Sequence, residues 1–241
     1  MRTMTTPKVR KPKGYIACGA AAFLALIGIL KLLSSDHYMK AQSLQGEPAK
    51  ALLHQQFERG LPQLHPCARR TCVFFNITID SQPAGRIVLL LYEKQVPKAA
   101  ENFKLLATGE KGKSEKGTVL HYQGTIFNRV VHNILVQGGD ISGGKESEDG
   151  EPESALGAAL EPENLDINFE KEGLLAMANT QGNKIGSEFF ITVDIVTELN
   201  NLFVILGEVV EGMDVVLKIN NVTLIDTQPT VPVIIEKSGI L

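Results

Sequence analysis

The run from Gly14 to Leu30, GYIACGAAAFLALIGIL, carries no charged residue, and it separates two parts of the chain that must live in different surroundings. At about 1.5 Å of rise per helical residue it is just long enough to span a hydrocarbon core once Leu32 and Leu33 extend it. Lys31 interrupts the apolar reach, and its long stem lets the ammonium reach the interface. Arg2, Lys8, Arg10, Lys11 and Lys13 precede the run with no acid among them. The positive flank predicts a cytoplasmic tail over residues 1–13, a transmembrane signal anchor over 14–33, and everything later on the far side of the membrane. A cleaved signal peptide is the rival and a buried globular helix the remoter one. Leu33 stands where a cleavage site needs a small residue, which favours the anchor. A single-pass type II protein of the secretory pathway is therefore expected. The shortness of the span leans toward the thinner early membranes, endoplasmic reticulum or Golgi.

Residues 34–70 read as a lumenal stalk. Glu47 to Arg59 carries Leu52, Leu53 and Phe57 at helical spacing, and Pro62 and Pro66 stop any continuation. Cys18 falls in the apolar run, whereas Cys67 and Cys72 fall after it, where an oxidising lumen permits a small disulfide loop. Free thiols or pairing with another chain are the alternatives. Asn76-Ile77-Thr78 and Asn221-Val222-Thr223 are candidate N-glycosylation sites, accessible only if each asparagine faces outward.

From Thr71 onward short apolar runs alternate with Gly and Asn turns. Strands are expected over 72–79, 86–91, 125–131, 134–137, 174–178, 189–192, 203–209 and from 223, a pattern of a barrel or sandwich and not of regular helical crossovers. Pro97 opens a helix that Gly109 stops. A shorter helix, Gly212 to Ile219, sets Met213, Val216 and Leu217 on its apolar side. Hydrophobic residues at 44 % against 21 % charged exclude wholesale disorder. A net charge of -3, no Trp and only 4 Tyr argue against a nucleic-acid partner, which needs cations for phosphate and rings for bases.

Several separate stretches resemble, in order, the cyclophilin family of peptidyl-prolyl isomerases. They are Val96-Pro97-Lys98-Ala99-Ala100-Glu101-Asn102-Phe103 with Thr108-Gly109-Glu110, Phe127-Asn128-Arg129-Val130-Val131, and Val136-Gln137-Gly138-Gly139-Asp140. Leu175-Ala176-Met177-Ala178-Asn179, Gly186-Ser187-Glu188-Phe189-Phe190-Ile191-Thr192 and residues 204–212 complete the set. The resemblance covers residues 71–241 and implies a mainly β fold, an eight-stranded antiparallel barrel capped by two helices. It implies cis/trans isomerisation of X-Pro bonds in proline-containing segments of client proteins, with no cofactor and no metal. Arg129 matches the catalytic arginine and Gln137 its supporting glutamine. Asn179 matches a residue that binds the peptide backbone, Phe190 the aromatic floor of the proline pocket, and Ile134, Leu135 and Leu199 its walls.

The chain departs from the family pattern mainly around that groove. Asn128 and Phe203 replace His, Ile134 replaces Phe, Leu135 replaces Met, Thr180 replaces a small residue, Glu188 replaces Gln, and Glu198 replaces an aromatic residue. His132-Asn133 stand where Pro and Gly form the turn after the arginine. Glu188 either neutralises Arg129 or clamps it usefully. Weak or narrow isomerase activity is the expectation, and a catalytically inactive peptide-binding or scaffolding domain is the rival. Residues 145–172 carry ten acids against Lys145 and Lys171. They are either a solvated loop or an acidic rim that selects basic peptides.

Overall fold

Alternation of side chains across a pleat decides which half of each strand is buried. In β1 (Cys72–Ile79), Val73, Phe75 and Ile77 point to the core, at 1 % exposure or less. β1 pairs with β2 (Gln82–Leu91) through a tight turn in which Asp80 and Ser81 take positive φ, and with β10 (Val233–Ile240) on its other side. The remaining strands are β3 (Arg129–Val131), β4 (Leu135–Gly138), β5 (Leu174–Asn179), β6 (Ile185–Thr192) and β7 (Ile205–Glu211). These eight form one antiparallel sheet of order β10-β1-β2-β7-β5-β6-β4-β3. A separate small ribbon joins β8 (Leu224–Ile225) to β9 (Gln228–Pro229).

This computed structural model describes residues 65–144, 151–179 and 183–241. The chain divides into two units, Met1–Gln63 and Leu64–Leu241, and every described residue belongs to the second. The expected anchor at 14–33, the stalk up to residue 64 and Thr180 lie outside the described residues. Among the described residues no helix is long and apolar enough to cross a membrane.

The sheet is a half-barrel capped by two helices. Its first and last strands are tied by the stretch that leads into β3: Gly124 and Phe127 donate to the carbonyls of Ile235 and Val233 at 2.8 and 2.9 Å, and Ile235 donates to Thr125 at 2.9 Å. The strand expected over 125–131 is thus two pieces. Residues 124–127 serve β10 and only Arg129–Val131 serves β4. Inside the curl sit Phe75, Phe103, Tyr122, Phe127 and Phe189, their ring centroids 5.0 to 5.8 Å apart, with Val73, Leu89, Met177 and Leu206 around them. Offset and edge contacts of this kind add to the burial of the rings themselves. Gly139, at φ +85, passes so close that a Cβ there would lie 2.6 Å from the Phe189 ring.

Helix α1 (Pro97–Thr108) begins at Pro97 and ends at Gly109, whose φ of +70 lets its N–H return to the Leu105 carbonyl at 2.9 Å. No side chain of its own first turn caps it. Glu163 reaches across instead, accepting the free N–H groups of Lys98 and Ala99 at 3.0 and 2.9 Å, where a carboxylate also meets the positive end of the helix dipole. On the buried face Asn102, at 0 % exposure, donates to the Gly186 carbonyl at 2.8 Å and accepts from the Ala155 N–H at 2.7 Å. One amide therefore joins helix, loop and β6.

Helix α2 (Met213–Asn220) follows Gly212, which holds φ +86 against the backbone of Arg86. Its buried stripe is Val215, Val216 and Ile219, and Leu217 is 42 % exposed. The stripe expected from sequence, Met213, Val216 and Leu217, is equally regular in spacing. Val216 is buried and Met213 packs part-buried against the core, so of the three only Leu217 turns outward, and Val215 and Ile219 take its place. Strands β6 and β2 begin earlier than expected, at Ile185 and Gln82. The segment from 223 breaks at Asp226, where φ is +57. Cys67 and Cys72 form a disulfide that fastens the short turn Pro66–Ala68 to β1, and His65 bonds Glu211 at 2.6 Å.

Asn102 satisfies both groups with a single side chain. Asn102→Ala is expected to lower unfolding free energy by about 2 to 4 kcal/mol, since it leaves a buried N–H and a buried carbonyl unpaired. Urea titration would check this, and a loss below about 0.5 kcal/mol would show that water replaces the amide.

Candidate functional site

The β3–β4 hairpin places the central pair. Its register sets Arg129 directly opposite Gln137, and the β4–β6 register sets Gln137 opposite Phe190. Glu188 lies two residues before Phe190 on β6, so period-2 alternation turns Arg129, Gln137, Glu188 and Phe190 to one face. Phe189 turns to the barrel interior. The hairpin turn has no Pro or Gly. Asn133 takes φ +61, and Asn220 of α2 holds it, accepting from the Asn133 N–H at 3.0 Å and donating to the Val131 carbonyl at 3.1 Å. Asparagine tolerates that left-handed conformation better than most residues.

Arg129 is exposed, and its Nη1 donates to Gln137 Oε1 at 3.2 Å. Gln137 Nε2 in turn donates to Glu188 Oε2 at 2.8 Å. An ionised carboxylate only accepts, so it can take nothing but the NH2 end of the glutamine amide. The oxygen end is thereby left facing the guanidinium. Glu188 thus reaches Arg129 through Gln137, and the arginine keeps its remaining donors for the open side of the face.

Beside this chain lies an apolar floor. Phe190, 2 % exposed, stacks on Phe169 with centroids 5.9 Å apart and meets the edge of Phe203 at 5.1 Å. Leu135 and the partly buried Leu199 belong to the same cluster. Ile134 is 38 % exposed and is not packed in that cluster, because the hairpin turn sends alternate residues outward. Leu199 sits on the single turn Thr197–Leu199, held by the bond from the Phe169 N–H to Asn200 Oδ1 at 2.7 Å. Glu198 on the same turn is exposed.

Asn179 ends β5 at the rim. Both of its amide hydrogens are committed, one to Asn183 Oδ1 at 2.7 Å and one to the Leu202 carbonyl at 2.8 Å. Its Oδ1 is buried and has no partner among the described residues.

Phe169, Asn183 and Asn220 are the residues that sequence reasoning missed. Phe169 gives no signal apart from being one more phenylalanine in an acidic stretch. Asn220 reads as the polar end of a helix, and only the turn it captures gives it a role.

The acidic stretch is partly structural. Glu163 caps α1, Glu161 pairs with Lys184, and Glu153 accepts from Ser114 Oγ at 2.9 Å. Residues 145–150 lie outside the described residues. Asn76 is half-buried within β1 and accepts from Arg86 Nε at 2.8 Å, whereas Asn221 and Thr223 are exposed beyond α2. Among the described residues no group of three or more His, Cys, Asp or Glu side chains could hold a metal ion.

The family model for cyclophilin type peptidyl-prolyl cis-trans isomerases matches residues 74–240. A peptidyl-prolyl cis-trans isomerase CYP21-1 of Arabidopsis thaliana is 45 % identical over 149 residues, 61 % of this chain and 64 % of that protein. A probable inactive peptidyl-prolyl cis-trans isomerase-like 6 of Bos taurus is 40 % identical over 167 residues, 69 % of this chain and 53 % of its own length. The chain thus spans less than two thirds of either relative.

Beneath Glu188, Tyr122 is fully buried and donates to the Ser187 carbonyl at 2.7 Å. Burial first, and the Glu188 charge second, push its phenol well above the ordinary value of 10.0. Tyr92 is also raised, by burial and then by Glu208. A phenol whose value rises on folding stabilises the native state fully below its unfolded value and loses that contribution as pH climbs above it. Of the chain's 4 tyrosines, these two are expected to ionise in an alkaline absorbance titration only as the protein unfolds. Ionisation of both near pH 10 with the far-ultraviolet circular dichroism unchanged would contradict the burial argument.

Proposed function

Since the chain belongs to the cyclophilin-type peptidyl-prolyl cis-trans isomerase family, we propose that it catalyses rotation about X-Pro bonds in client proteins, with a weak or narrow substrate range. The observation that carries this reading is the juxtaposition of Arg129, oriented through Gln137, with the Phe190 floor on one face. Rotation about an X-Pro bond is slow because amide resonance opposes it with a barrier of about 18 to 20 kcal/mol. Breaking that resonance needs no nucleophile. It needs the ring held against an apolar wall and a donor placed where charge shifts as the bond twists.

In the proposed mechanism the proline ring lies over the Phe190 cluster, against the part-exposed Leu199 and Phe203. Asn179, at the rim, contacts the peptide backbone next to the proline and keeps the chain from turning with the ring. Arg129 donates to the carbonyl before the proline or toward the imide nitrogen, favouring the twisted state over either planar one. Glu188 acts as the positioning residue that sets the Gln137 amide.

The rival reading is a peptide-binding domain without isomerase activity. The name of the 40 % identical bovine relative, probable inactive, supports it, as does the carboxylate that Glu188 introduces. For the rest of the chain we propose the topology argued from its first residues: a signal anchor over 14–33, a stalk over 34–70, and residues 71–241 in the lumen of the endoplasmic reticulum or Golgi. The Cys67–Cys72 disulfide suits that compartment, and exposure makes Asn221 the better glycosylation candidate.

The test is an isomerisation assay of the full chain with peptides that vary in the residue before proline. Arg129→Ala is expected to lower kcat/KM about a hundredfold, the scale of losing one donor to a developing charge, with unfolding free energy nearly unchanged. No activity on any peptide from a folded wild-type chain would sink the isomerase reading. Activity that then appears in Glu188→Gln would name that carboxylate as the cause.

A further inference from the structure

Arg69-Arg70 is the only pair of adjacent arginines in the chain, and it lies inside the ring that Cys67 and Cys72 close. Ala68, Arg69 and Arg70 are exposed, whereas Cys72 is buried at 1 %. Among the described residues no hydrogen bond engages the backbone of either arginine. Firm attachment begins just after them: the Thr71 carbonyl accepts from Leu91 N–H at 3.0 Å, and the Cys72 carbonyl accepts from Leu241 N–H at 3.0 Å. Before them stand only the exposed His65–Glu211 contact and the turn bond from Ala68 N–H to the His65 carbonyl at 2.8 Å.

Exposed arginines on a loop with free backbone are the substrate of a trypsin-like protease, which cuts after a basic residue. Such an enzyme pairs with its substrate as an extended strand, and here the ring forbids that shape. Five residues of extended chain span about 17 Å. The disulfide holds the Cα atoms of Cys67 and Cys72 5.5 Å apart at a sequence separation of 5. While the bond is intact the segment cannot straighten. Once it is broken, residues 65–70 are held by one exposed side-chain contact and one turn bond, and contacts of that kind open readily.

We propose that Arg69-Arg70 is a cleavage site for a trypsin-like protease, and that the Cys67–Cys72 disulfide keeps it shut until a dithiol opens it. Two reactions follow in order. Exchange with the dithiol breaks the S–S bond: two electrons pass to the cysteines, which become thiols, and the dithiol leaves as its own disulfide. Hydrolysis then adds one water across the peptide bond after Arg69 or Arg70, leaving a carboxylate on that arginine and an amine on the residue that follows. The cut falls before β1, so Val73, Phe75 and Ile77 keep their places in the core and the domain is released folded. The inference depends on neither the isomerase reading nor the membrane topology. With the topology proposed above, the same two steps free the domain from its anchor.

The experiment is limited trypsin digestion of the full chain in two states, oxidised, and reduced with dithiothreitol then desalted without air. Fragments are identified by mass and by their new N-termini, Arg70 or Thr71. Lys111, Lys113 and Lys116, exposed on another loop, serve as internal controls, since cutting there reports general opening of the fold. Reduction is expected to speed the cut after Arg69 or Arg70 about tenfold or more, as cleavage follows the population of the open form, with cutting at 111–116 unchanged. Cys67→Ser should be cut at the reduced rate with no dithiol present. The double variant Arg69→Gln, Arg70→Gln should resist at this site in both states. Equal rates at Arg69-Arg70 in the two states overturn the proposal, as does a Cys67→Ser chain that resists as the oxidised one does. Parallel acceleration at 111–116 overturns it too, because the disulfide would then be holding the whole fold and not this segment.

Discussion

The sheet has two edges, and the unpaired backbone groups along them must be satisfied. The stretch 124–127 bonds to the β10 edge and leads into β3, whose own outer side is met by the bond from Val130 N–H to the Thr227 carbonyl. With Phe127 bonded to Val233, β3 starts two residues later with Arg129 opposite Gln137. A free edge strand would let that register slip, and a slip of one residue would send the arginine to the other face. The tie also closes the curl around the five-ring aromatic cluster, so the placement of the charged face and the exclusion of water from the core have one cause.

Two buried asparagines carry much of the remaining order. Asn102 joins α1 to the Ala155 loop and to Gly186 at the start of the strand that bears Glu188 and Phe190. Asn220 joins α2 to the turn of the hairpin that bears Arg129 and Gln137. Each helix thus holds one side of the face through a single amide. Apolar burial supplies most of the driving force for folding but fixes no particular orientation. A buried amide with both ends engaged fixes orientation strongly, because any other arrangement leaves polar groups unpaired.

Charge is handled the same way. The acids that look from sequence like a solvated run are divided among separate duties: Glu163 at a helix start, Glu161 in an ion pair, Glu153 on a serine. Glu188 is spent on orienting Gln137. Its carboxylate is two bonds removed from Arg129, so the arginine is steered without a direct ion pair among the described residues.

Helix α1 was legible in full, because Pro97 and Gly109 act locally at its two ends. The β1 limits were legible too, since alternation and turn residues are local as well, and the family resemblance set the order of the rest. Tertiary structure alone decided that Leu217 of α2 faces outward while Val215 and Ile219 are buried, that residues 124–127 serve β10, that Phe169 stacks on Phe190, and that Gln137 stands between Arg129 and Glu188. Each of these is a contact between residues far apart in the chain. Sequence periodicity reports which side of an element is apolar, but it carries no information about which distant partner that side will meet.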